Sequence, residues 1–169
     1  TQHNKTKHIT SISRLEEDRY VWLDRFTIRN LELIYSPNEN AKTLIDVLDH
    51  TISPMGSRLL KRWVALPLKD IQPINDRLDA VNEFVNKEEL SEQIVENIKE
   101  IGDLEHLISK VATARINPRE LVHLKRALTV IEPIKELCKS SNNAALNKIA
   151  ERLDPCELIK DKVDTIVQD

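Results

Sequence analysis

The run from Arg58 to Trp63 holds the densest group of side chains that could grip a ligand: Arg58, Lys61 and Arg62 beside an indole. Cations interleaved with an aromatic ring can follow a phosphate backbone while the ring stacks on a base. Here, however, Trp63 shares a helical stripe with Leu59, Leu60 and Val64, which is the spacing of a face turned toward a core. The ring is therefore expected to be buried. Leu59, Leu60, Trp63, Leu78, Val81, Leu104, Leu107 and Val111 are the predicted structural core. The three cations are left on the helix flanks, where they meet a neighbouring domain or solvent; weak contact with a DNA backbone is the alternative. A second basic group, Arg115, Arg119, Lys125 and Arg126, divides the same way.

No other constellation points to chemistry. His3, His8, His50, His106 and His123 are scattered, and zinc needs three or four ligands at close spacing. Glu16-Glu17-Asp18 reads as a solvated loop. Asp76 with Asp79, and Glu88, Glu89 and Glu92, suit exposed helix faces and helix N-termini better than general acid or base work. Neither a nucleophile elbow nor a glycine-rich phosphate loop is present. Cys138 and Cys156 form no CxxC pair and read as buried free thiols of a reducing compartment. The expectation is no catalytic, cofactor-binding or metal-ligating residue.

The elements that must position these residues are helical. The chain has 169 residues, 40% hydrophobic and 31% charged, and only 2 glycines, where average usage would give about 12. So little glycine argues against a dinucleotide-binding fold and against an all-β fold rich in tight turns. A net charge of −3 argues against autonomous nucleic-acid binding. No apolar run approaches the roughly 18 residues that would span a bilayer, and the polar start TQHNKTKHIT is no signal peptide. A cytoplasmic protein is expected. The absence of an initial Met reads as a piece of something longer.

Residues 1–8 read as a linker. ITSIS and YVWLD are β-prone runs on either side of RLEEDR, which predicts a short β-hairpin over 9–23. From Asp24, a helix cap, the pattern turns helical; Ser36-Pro37-Asn38 breaks it with an exposed loop over 36–42, and from 43 onward everything reads as helix. Ser53-Pro54 and Asn117-Pro118 with Glu120 are helix starts, and Gly102 ends a helix over about 88–101. Ile74, Leu78, Val81 and Val85 mark the stripe of one helix. Leu121, Leu124, Leu128 and Ile131 mark that of another, which Pro133 should kink or split. The fold class is mainly α, a multi-helical domain with that N-terminal hairpin.

Three segments resemble the MutS family of DNA mismatch repair proteins. The first holds Leu23, Asp24, Thr27 and Arg29-Asn30-Leu31-Glu32-Leu33. The second holds Leu48-Asp49, Thr51, Pro54-Met55-Gly56, Arg58-Leu59-Leu60, Trp63, Pro67-Leu68, Ile74, Arg77-Leu78 and Val81. The third holds Asp103-Leu104-Glu105, Ala114-Arg115 and Pro118-Arg119. The order and spacing are specific, and the resemblance covers about 9–169. The loop 36–42 is poorer in glycine than in many relatives. The resemblance implies a helical core, or lever, over 24–169, entered by the hairpin from a connector domain and ending near a DNA clamp. It implies a parent that is dimeric and binds mismatched DNA, with ATP and magnesium on an ATPase domain. Neither the Walker motif nor the Phe-x-Glu motif of such proteins occurs here, so the fragment itself is expected to be no enzyme and to hold no cofactor. Its expected partners are the connector, clamp and ATPase domains. Its expected role is to relay ATP state to mismatch binding. A helical protein–protein adaptor, or the core of a recombination paralogue, is the alternative.

Overall fold

The computed structural model describes residues 17–38 and 40–168. Among them are a 3₁₀ turn at Glu17–Arg19 and ten α-helices: α1 Arg25–Asn30, α2 Leu44–Leu48, α3 Pro54–Ala65, α4 Ile71–Asn86, α5 Glu88–Ile101, α6 Leu104–Ala112, α7 Pro118–Thr129, α8 Ile131–Ser140, α9 Ala144–Arg152 and α10 Glu157–Gln168. The mainly helical expectation holds.

The helix starts follow from local chemistry. The Asp24 carboxylate accepts from the Thr27 amide at 2.6 Å, and the Ser53 hydroxyl from the Gly56 amide at 3.1 Å, with Pro54 behind it. Asn117 and Glu120 form a reciprocal capping box, with the Asn117 side chain accepting from the Glu120 amide at 2.9 Å and the Glu120 carboxylate from the Asn117 amide at 3.1 Å. Thr43 and Asp46 form a second box that starts α2. Gly102 has φ 66, a conformation that costs a residue without a Cβ little. The long stripe does split near Pro133, but at Val130, one turn earlier. Pro133 thereby falls in the first turn of α8, where a missing N–H leaves no helical bond unmade.

Among the described residues the predicted hairpin over 9–23 is not seen. Its first run, ITSIS at 9–13, lies outside the described residues, as does the 1–8 linker. Its middle forms the 3₁₀ turn, and Tyr20 makes an isolated antiparallel bridge to Leu68 instead. Val21 N–H donates to Pro67 O at 2.7 Å and Lys69 N–H to Arg19 O at 3.0 Å. The β-prone run finds its partner in the α3–α4 link, because Pro67 and the residues around it leave extended backbone there with unpaired groups.

The core lies in α4–α10. One cluster joins Leu90, Ile94, Val130, Ile134, Cys138, Leu146 and Ala150, with Phe84 and Ile101 against it; a second joins Leu124, Leu128 and Ile131, with Leu104, Leu107 and Cys156 packed against it. Several predicted core residues are elsewhere. Leu59, Leu78, Val81 and Val111 are exposed, and Trp63 is 39% exposed. Leu60, Leu104 and Leu107 are half-buried. An apolar stripe specifies that a helix has a face to cover, not that the cover lies in the same 169 residues.

Candidate functional site

The α3–α4 region gathers most of the residues singled out by the sequence. Asp49, between α2 and α3, organises the approach. It accepts from the Ser57 hydroxyl at 2.5 Å, from the Thr51 hydroxyl at 2.6 Å and from the Thr51 amide at 3.1 Å. The Ser57 hydrogen bond, followed by those from Thr51, holds the Asp49 carboxyl below the usual carboxylate range. Gly56 lies close under this knot. A Cβ there would meet the Ser53 hydroxyl oxygen at 3.2 Å and the Thr51 Cβ at 3.3 Å.

The basic trio does not act as one patch. Arg58 turns to α6. Its guanidinium donates to both Asp103 oxygens, at 2.7 and 3.0 Å, and twice to Glu105 Oε2, at 2.5 and 2.8 Å. Asp103, then Glu105, raise the Arg58 pKa above its ordinary value, and Arg58 in turn holds Asp103 low. Lys61 stands near enough to Asp46 and Asp49 to help keep their carboxyls low. Arg62 is exposed and makes no ion pair among the described residues. Trp63 is not walled in by leucines; Arg77 of α4 lies over its ring, 3.7 Å from the centroid. Partial burial lowers the Arg77 pKa.

Beside this lies the open face of α4. Ile71, Ile74, Leu78, Val81 and Val85 are spaced 3, 4, 3 and 4, the repeat of a seam that receives another helix. Ile71, Leu78, Val81 and Val85 are all more than half exposed, with Val85 at 75%, and Leu59 and Trp63 of α3 are exposed too. The opposite side of α4 is already docked. Phe84 and Ala80 meet the first core cluster, Asp76 pairs with Lys148 of α9 at 2.7 Å, and the Asp79 carbonyl accepts from the Asn143 side chain at 3.3 Å.

The remaining candidates disperse. Lys125 pairs with Asp164 of α10, and Lys110 with Glu120. Arg115 and Arg119 are exposed around the α6–α7 turn. Arg126, His106 and His123 rim an open groove of ≈ 660 Å³ between the end of α5, α6 and α7. Glu88 and Glu89 sit in the first turn of α5, where the helix dipole favours them. Among the described residues there is no cluster of three metal-ligating side chains, and no helix is long and apolar enough to cross a membrane. Cys138 is buried, Cys156 half-buried, and both are free.

Sequence reasoning missed the partners of Arg58, which lie 45 and 47 residues away. No local pattern announces such a pair. It did see most of the α4 seam, and the strict alternation of threes and fours could have marked that seam as a site for a helix.

A family model described as MutS domain III matches residues 26–169. The chain is 54% identical over 164 residues to the DNA mismatch repair protein MutS of Bacteroides fragilis, covering 97% of the chain and 19% of that protein. It is 55% identical over 163 residues to the MutS of Bacteroides thetaiotaomicron, and 52% identical over 169 residues to that of Christiangramia forsetii. The chain spans about a fifth of the length of these curated relatives.

Proposed function

The chain belongs to the MutS domain III family of DNA mismatch repair proteins, and from that premise we propose that it is the structural core, or lever, of a longer mismatch repair protein. In this reading residues 24–169 have no activity of their own. They carry the state of an ATP- and magnesium-binding domain elsewhere in the protein to the part that holds mismatched DNA. The observation that supports this best is the open seam of α4 with Leu59 and Trp63 beside it. A continuous apolar face of this kind marks a place where another element belongs. Its 3-4 spacing suits a helix lying along α4. A rigid helical body behind such a face can pass on a displacement, because packed helices move as units rather than deform.

The connector, clamp and ATPase domains, and a second subunit, are the partners this reading gives the chain. Placing Asp at both Val81 and Val85 in the full-length protein tests it. The expected outcome is ATP hydrolysis near the parent level with loss of the ATP-dependent change in affinity for a mismatched duplex. An unaltered ATP response would remove α4 from the relay.

A further inference from the structure

The described residues of 17–69 contribute nothing to either core cluster. Ile45 is the one hydrophobic side chain buried among the described residues of that segment. The segment is nevertheless knit to itself, through the Tyr20–Leu68 bridge, the Leu44 amide on Glu32 O at 3.0 Å, the Ile45 amide on Leu33 O at 3.0 Å, and the Asp49–Ser57 hydrogen bond. It is an arm set against the α4–α10 body. Among the side-chain links that cross between them are the Arg58 fork on Asp103 and Glu105 and the Arg77 guanidinium over Trp63, with Tyr20 of the arm near enough to Arg77 to favour its charge.

We propose that Arg58 is the releasable fastener of a joint between this arm and the α4–α10 body, so that the arm's position is set by charge rather than by apolar burial. The chemistry of the α6 N-terminus makes the fastener separable. Asp103 is the N-cap of α6, and its Oδ1 accepts from the His106 amide at 3.1 Å as well as from Arg58. Glu105 stands in the first turn. Two carboxylates at a helix N-terminus are favoured by the helix dipole whether or not a cation joins them. Removing Arg58 therefore leaves α6 capped and charged as helices prefer, and only the link to α3 is lost. Removing Asp103 would lose the cap as well as the Asp103 half of the fork. The fork is largely exposed, with Arg58 at 47%, so ions in solution compete for it. The Arg77–Trp63 stack, which involves a less hydrated guanidinium over a ring, is the salt-tolerant half of the joint.

Hydrogen exchange of the full-length protein, read by mass spectrometry at 0.1 and 1 M KCl for wild type, Arg58→Gln and Arg58→Lys, tests this. The expected result is exchange about fivefold faster over 54–66 in Arg58→Gln at low salt, with 124–134 unchanged. Wild type at high salt should approach the variant, and the variant should respond little to salt. Arg58→Lys, which keeps the charge but loses the fork, should fall between them and serves if the glutamine variant folds poorly. Equal exchange in all three proteins at both salts would overturn the proposal. So would acceleration over 124–134 as large as over 54–66, because Arg58 would then support the whole body rather than a joint.

Discussion

The arm, 17–69, and the body, 70–168, are built from similar sequence and held by different forces. Both have capped helices with apolar stripes. In the body the stripes of α5, α7, α8 and α9 meet, with Ala80 and Phe84 of α4 against them, and Leu146 and Ala150 are shut away from water. In the arm the stripes stay open, and hydrogen bonds and charge hold the shape. A stripe needs a partner. The body supplies its own, whereas the stripes of the arm and the outer seam of α4 are uncovered among the described residues, and it is there that the proposed reading docks the other domains. The difference separates what keeps this domain folded from what connects it.

The largest expected effect lies in the body. Leu146→Ala should cost about 3–5 kcal/mol in chemical denaturation, as for other buried leucines. Leu59→Ala, on the arm, should cost about 0.5 kcal/mol. Equal costs would erase the distinction between the two regions.

Trp63 tests the boundary. A buried tryptophan would lose about 3–5 kcal/mol on truncation. With the ring 39% exposed and its main neighbour a guanidinium, Trp63→Ala should lose only about 1–2 kcal/mol, including about 0.5–1 kcal/mol for the lost cation–π contact. A loss in the full range for a buried ring would put the α3 stripe in the core after all.

Acid should loosen the arm's hydrogen-bonded hinge. The folded Asp49 carboxyl lies below its ordinary value, through the Ser57 hydroxyl first and then Thr51. Its contribution is present above that value and fades as pH falls through the lower, folded value. Asp49→Asn removes the group that titrates. Amide exchange at 51–57, compared between wild type and Asp49→Asn from pH 5 to pH 2 after correction for the intrinsic rate, should converge as the wild-type carboxyl protonates. A constant gap across that range would assign the hinge to other contacts.

These effects also mark what the sequence could tell. Ser53-Pro54, Asn117 with Glu120, and Gly102 are visible because a cap is settled within four residues by the chain's own hydrogen-bonding needs. The core was misplaced at Trp63, Leu78 and Val81, because periodicity shows a face without saying what covers it. The β-prone run before Asp24 paired with Leu68, more than forty residues on, where no alternation could point. The Arg58 fork is hidden for the same reason, and adjacency in sequence makes the basic trio look like one patch although its members face different neighbours.

The central claim is that the seam of α4 is an internal surface of a longer protein. Thiol labelling of Val81→Cys in the full-length protein, with rates resolved by site, reads it most directly. In the described residues Val81 is 57% exposed, so an uncovered cysteine would react almost as it does in urea. The account predicts labelling about a hundredfold or more slower in the native protein than in the unfolded one, because opening of a packed helical contact must come first. A native rate within about threefold of the unfolded rate, with the protein otherwise folded and able to bind a mismatched duplex, would contradict it.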